Sequence, residues 1–202
     1  MGAPRRIAGP DAKNREVLLD AAERILLDEG YPAVTSRRVA SRVGLKPQLV
    51  HYYFRNMDEL FLAVFTRRAE EGLRRQAEAL ASPEPLRALW EFGSDPAGIV
   101  LTMEIMSLAS RRESLRAEVG RYAERFRTAQ AEALAELMGR AGVADDVPPA
   151  ALSMIMTSLA RVAVIERSIG VSTGHAETLA LVESYIDRLE KALRPAGGPP
   201  QA

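Results

Sequence analysis

Apolar residues recur at helical spacing along most of the chain, and no stretch shows the two-residue alternation of a half-buried strand. Val17, Leu18, Ala21, Ala22, Ile25 and Leu26 make one stripe and predict a helix over 14–29. Gly30 stops it and Pro32 prevents it from resuming. Val39, Ala40 and Val43 make a shorter stripe, with Thr35 placed to cap its helix and Gly44 to end it. Pro47 suits the first turn of the next helix, on which Val50 and Phe54 point one way and Pro47, Gln48, His51 and Tyr52 the other. Asn56 and Glu59 read as a capping box for a helix that buries Leu60, Phe61, Val64 and Phe65 and continues to about residue 80. Further on, Ser82 and Pro83 predict the start of a helix carrying Leu86, Leu89 and Trp90, and Asp95 and Pro96 predict another. A long helix ends near Gly139, a strongly apolar one begins at Pro148 and Pro149, and the last runs from about His175 to Leu193. The fold class is therefore all-α, with about nine helices.

The segment Ser36–Phe54, SRRVASRVGLKPQLVHYYF, has the layout of a helix-turn-helix with its second helix offered outward. Charge adds to this. Thr35–Asn56 contains Arg37, Arg38, Arg42, Lys46 and Arg55 and no acidic residue, although the whole chain balances 27 basic against 27 acidic side chains. A patch of this kind attracts phosphates, and polar tips on the outward helix then reach base edges. Gln48 and His51 are the expected base readers, with Pro47 and Leu49 against thymine methyls. Thr35, Ser36, Arg37, Lys46, Tyr52, Tyr53 and Arg55 complete the expected DNA-binding set, mainly through phosphates.

The run from Asn14 to Val64 resembles the DNA-binding domain of the TetR family of transcriptional regulators. LLDEGYPAVTSRRVASRVGL, then KPQLVHYYF with its aromatic run closing in Phe, then RNMDELFLAV occur in order at the family's separations. The likeness covers the first third of the chain; the remainder agrees in length and helical pattern. Where the family commonly carries a phosphate-contacting lysine this chain has Met57, and Arg55 stands close by as a substitute. The resemblance implies a three-helix DNA-binding domain at 14–58 and a helical effector-binding and dimerisation domain at 59–194. A basic arm (1–13, with Arg5, Arg6 and Lys13) and a loose tail (195–202) flank them.

Leu179, Val182, Ile186, Leu189 and Leu193 are spaced three and four apart, and the preceding helix offers Leu152, Ile155, Leu159 and Val162 similarly. A single stripe of this kind suits a monomer core; two in succession, in a chain resembling this family, imply a homodimer formed by packing the helix pair against its copy. The middle helices carry Trp90, Met103, Met106, Tyr122, Phe126 and Met154, side chains that suit an apolar cavity as well as an ordinary core. Glu104, Arg161 and Glu166 lie in apolar runs, where they either pair with one another or orient a polar ligand group, Glu104 and Arg161 being the expected ligand contacts.

Other classes fare worse. The two histidines, His51 and His175, fit no triad or metal spacing, there is no phosphate-binding glycine loop, and the absence of cysteine excludes disulfides and thiolate sites. No enzyme activity, metal or cofactor is expected. No signal peptide or membrane span is evident, so a cytoplasmic protein without a membrane partner is expected. The expectation is a homodimeric repressor on an inverted-repeat, double-stranded DNA operator, released by a small, mainly apolar effector. Control by a protein partner, or a helical enzyme or adaptor with an incidental basic helix pair, are the alternatives.

Overall fold

The computed structural model describes residues 10–142 and 147–193. Among them are nine α-helices, a short 3₁₀ turn and no strand. The helices are α1 (Pro10–Glu29), α2 (Ser36–Arg42), α3 (Pro47–Tyr53), α4 (Met57–Leu80), α5 (Pro85–Gly93), α6 (Pro96–Ala109), α7 (Glu113–Ala141), α8 (Pro149–Ser168) and α9 (His175–Leu193), with the 3₁₀ turn at Tyr31–Ala33. Helix α1 begins four residues before the expected Asn14, so part of the expected arm is helical; residues 1–9 and 194–202, the latter including the expected tail 195–202, lie outside the described residues.

The chain forms two compact units. The first joins the residues up to Glu70 with Val100–Gly120. Its core is built from Leu18, Leu19, Ala21, Ala22, Ile25 and Leu26 of α1, Val39 and Ala40 of α2, Val50 of α3, and Leu60, Phe61 and Val64 of α4. Leu101, Ile105, Leu108 and Ala109 of α6 close the same core. A division at residue 58 therefore does not follow the packing, because the apolar side of α6 is buried with α1–α4. Polar contacts hold these helices in register. The Arg67 guanidinium of α4 reaches Glu16 (3.2 Å), Asp20 (2.7 Å) and Glu23 (2.8 Å) on α1. Burial lowers its pKa, but the hydrogen bonds it donates to Glu23 and Asp20, with the attraction of their charges, outweigh this and hold it above the ordinary arginine value. Arg112 pairs with Asp58 and lies 5.4 Å from the Phe61 ring centroid.

The second unit joins Glu71–Ile99 with the chain from Arg121 onward. Leu86, Leu89, Leu134, Leu137, Met138, Leu152, Met156, Ile186 and Leu189 form its core. Helix α5 starts at Pro85, and its N-cap residue, Glu84, makes no side-chain cap. The Glu190 carboxylate of α9 does that work, accepting from the Leu86 N–H (2.6 Å) and the Arg87 N–H (3.3 Å). The expected Ser82–Pro83 start is thus displaced, because the cap comes from 104 residues away and not from the adjoining loop. At Gly72 a Cβ would stand 3.0 Å from Phe126 Cζ, so the backbone of α4 passes α7 at a separation only glycine allows without a shift.

Helix α8 is apolar on more sides than its neighbours cover. Contrary to the expectation of no such stretch, it is long and apolar enough to cross a membrane by length and composition, at 20 residues and mean hydropathy 1.3. Leu152, Ser153, Met156 and Ala160 face the core of the second unit, while Met154, Ile155 and Val162 are exposed.

Candidate nucleic-acid interface

Thr35 has extended backbone (φ −123°, ψ 154°), and its Oγ1 accepts from the Arg38 N–H at 3.3 Å, starting α2. Val39 and Ala40 are buried, which fixes the roll of this helix. The turn closes when the Leu45 N–H donates to the Ala40 carbonyl at 2.9 Å. Gly44 takes φ +69° there; open space surrounds it, so conformation and not crowding requires glycine. Lys46 occupies the N-cap of α3 without a side-chain cap, as expected of a lysine there, and Pro47 opens the helix. Val50 and Phe54, each 1% exposed, anchor α3 against the core. Asn56 Oδ1 accepts from the Glu59 N–H and Glu59 Oε2 from the Arg55 N–H, both at 2.9 Å. This is the expected reciprocal box, shifted by one residue on its return bond.

The face left outward carries Lys46, Gln48, His51 and Tyr52, with Pro47 half-buried, and Thr35, Arg37 and Arg55 exposed nearby. Ser36 is half-buried in the first turn of α2. Two expected members stand apart. Tyr53 is buried at 8% exposure within the core, its ring edge-on to exposed Tyr52 at 5.0 Å between centroids. Leu49 is half-buried and packs against the core. One residue along a helix is a turn of about 100°, so neighbours of an outward residue readily face in.

The basic patch is also less free than its sequence implies. Arg38 is held by Glu29, and Arg42 by Glu29 (3.4 Å) and Asp28 (3.0 Å), both from the last turn of α1. Reading Thr35–Asn56 alone missed these acids, which precede it in sequence.

The expected effector residues do not gather in one unit. Met103, Glu104 and Met106 belong to the first, and Trp90, Tyr122, Phe126, Met154 and Arg161 to the second. Met103, Met106 and Met154 are exposed. Glu104 Oε2 accepts from the Tyr31 N–H at 2.8 Å, and Glu166 Oε2 lies 2.7 Å from His175 Nε2, so these two carboxylates have separate partners and do not share Arg161. In the second unit Tyr122 is buried, with the guanidinium carbons of Arg121 and Arg125 4.5 and 4.7 Å from its ring centroid. Phe126 stacks on Phe92 at 6.5 Å, and Trp90 packs on the core.

The expected interface residues also divide. Ile155 and Val162 are exposed and Leu159 and Leu179 half-buried, but Leu152, Ile186 and Leu189 lie in the unit's own core, with Val182 packed against it. The three-and-four spacing on α9 marks a seam that packs into the core of its own unit.

A capped helix, a glycine turn and a proline-started helix with a polar outward face, in an all-helical chain, define a DNA-binding transcriptional regulator of the helix-turn-helix class. Residues 18–64 match TetR_N, described as "Bacterial regulatory proteins, tetR family". The chain is 33% identical over 130 residues to the HTH-type transcriptional regulator BetI of Rhizobium meliloti, covering 59% of this chain and 64% of BetI. It is 25% identical over 179 residues to the HTH-type transcriptional repressor AcnR of Corynebacterium efficiens, covering 87% of this chain and 93% of AcnR. A putative transcriptional regulator from Saccharomonospora viridis, solved in complex with choline, shares the fold with a TM-score of 0.68 at 17% identity, over 90% of this chain and 94% of that one. Residues 18–64 thus carry the DNA-binding domain of the tetR-family bacterial regulatory proteins, and the chain resembles HTH-type transcriptional regulators over most of its length.

Proposed function

We propose that the protein is a repressor that binds an inverted-repeat operator as a homodimer and is released by a small, mainly apolar effector. The observation that carries the DNA part is the exposed face of α3, with Gln48 and His51 between Lys46 and Tyr52 on a helix anchored by Val50 and Phe54. Bidentate or single hydrogen bonds from such side chains distinguish base pairs in the major groove, while Thr35, Arg37, Lys46 and Arg55 hold phosphates.

The dimer face lies on the uncovered side of α8 and α9. Ile155, Val162 and Ile169 are 50%, 49% and 72% exposed, and Leu181 of α9 is 72% exposed. With Ser158 and Ile165 between them, Ile155 and Val162 of α8 and Ile169 at its C-cap repeat three and four apart, the spacing of a helix pair packing against its copy. This replaces the Ile186–Leu189 seam as the proposed interface.

Among the expected ligand contacts, Trp90, Tyr122, Phe126, Met154 and Arg161 share the second unit; with Met154 exposed, the other four are the proposed lining of the effector site. Aromatic faces suit both apolar groups and quaternary ammonium. The choline bound to the Saccharomonospora viridis protein is therefore a reasonable first compound to test. The effector acts only by favouring the state that does not fit the operator. Anisotropy titration of the protein with its own upstream DNA, with and without each compound of a small set, tests this reading. Site-specific binding weakened by one of them supports it; specific binding indifferent to all of them removes the effector part, and the absence of specific binding removes the whole.

A further inference from the structure

Two acids at the end of α1 hold cations of the DNA-binding patch. Glu29 engages both Arg38 and Arg42, and Asp28 engages Arg42 at 3.0 Å. The side chains of Arg38 and Arg42 are 53% and 40% exposed, so water and phosphate reach them. Exposed pairs of this kind add little to stability. Their effect on a polyanion is larger, because phosphate affinity depends on how many cations are free to replace condensed counterions. Counting Asp28 and Glu29 with the five cations of Thr35–Asn56 lowers the patch charge from +5 to +3.

We infer that Asp28 and Glu29 are specificity-determining residues: by occupying Arg38 and Arg42 they hold down sequence-independent DNA affinity and leave discrimination to the outward face of α3. The inference rests on the DNA-binding reading above and extends it. Arg37, Lys46 and Arg55 supply the phosphate contacts of the resting protein. Arg38 and Arg42 form a reserve of positive charge that the carboxylates keep from random duplex. A protein with all five cations free would spend more of its time on non-specific sites, and the ratio of specific to random binding would fall.

The test is the salt dependence of binding to a random-sequence duplex, read by fluorescence anisotropy across a KCl series. Four proteins are compared: wild type, Asp28→Asn/Glu29→Gln, the same with Arg38→Ala/Arg42→Ala added, and Glu124→Gln/Glu136→Gln as a charge-matched control on exposed positions of α7. The first double variant should bind random DNA several-fold more tightly, with a log–log slope steeper by up to about 1.8 per protomer, since each added phosphate contact contributes about 0.9. Adding the two alanines should return the slope to that of wild type, and the α7 control should leave it there. Thermal melting shows whether each variant is folded; if the double variant is destabilised, the single Glu29→Gln, which releases Arg38 and loosens Arg42, is read in its place and should still steepen the slope. An unchanged slope in folded Asp28→Asn/Glu29→Gln overturns the inference, as does weaker binding, which would mean that the acids orient the arginines onto phosphate. A wild type that binds no duplex at any salt concentration refutes the DNA-binding reading itself.

Discussion

Glu104 Oε2 accepts a hydrogen bond from the Tyr31 N–H at 2.8 Å, tying the middle of α6 to the 3₁₀ turn that leads into the helix-turn-helix. The two residues are 73 positions apart. The turn has no side-chain cap of its own, so Glu104 satisfies a donor that would otherwise have no protein acceptor. Helix α6 begins in the second unit and from Val100 packs in the first. Helix α4, Met57–Leu80, likewise has residues in both units, and in the proposed mechanism α4 and α6 are the two routes by which an effector biases the DNA-binding domain.

Replacing this carboxylate separates its two roles. Glu104→Ala should lower stability by about 1–2 kcal/mol, the usual cost of leaving a partly buried donor unsatisfied. Glu104→Gln, which keeps an acceptor, should cost less. Thermal melts in parallel with effector titrations check this: coupling between effector and DNA should fall in the alanine variant by more than in the glutamine one. Equal coupling in all three proteins would leave α4 as the sole route.

His51→Ala should lose about 1–3 kcal/mol on the specific operator with little change on random duplex, because a base-edge contact is lost. Lys46→Ala should weaken both alike and reduce the salt slope by about one. Matched anisotropy titrations on the two DNAs distinguish the roles; a uniform loss for His51→Ala would make it a phosphate contact.

The exposed side of α8 and the buried side of α9 make opposite predictions for the same kind of change. Val162→Glu, on a residue 49% exposed, should give a folded monomer with reduced operator affinity. Ile186→Asp, on a residue 2% exposed, should unfold the second unit by placing a charge in its core. Sedimentation velocity with circular dichroism reads both. A Val162→Glu protein that remains dimeric would move the interface elsewhere.

Glu190 is 5% exposed and caps α5 with two backbone hydrogen bonds. Glu190→Ala should destabilise the protein by about 2–3 kcal/mol, since it strands two N–H groups and leaves a void. Urea unfolding gives the value; a loss below about 0.5 kcal/mol, the level of ordinary surface changes, would contradict the assigned role.

The parts of this fold that were legible in the sequence are those held by near neighbours. Thr35 caps through Arg38, Gly44 takes the left-handed turn and Pro47 opens α3, all within three or four residues of what they organise. Features supplied from a distance were not legible. The start of α5 depends on Glu190, the role of Glu104 on Tyr31, and the free charge of the patch on Asp28 and Glu29. Hydrophobic spacing found the apolar seam of α9, yet spacing does not say whether a seam meets its own chain or a second copy. The DNA-reading face was more legible than the effector residues because a recognition helix is a local device, whereas a ligand site collects side chains from several helices.

The central claim is sequence-specific, two-fold DNA recognition by α3, and hydroxyl-radical footprinting on the DNA upstream of the protein's own coding sequence tests it most directly. Two protected half-sites related by an inverted repeat, with centres about one helical turn or a multiple of it apart, are predicted, together with their loss in Gln48→Ala/His51→Ala. Uniform protection without a repeat, or a footprint that survives the double substitution unchanged, would contradict it.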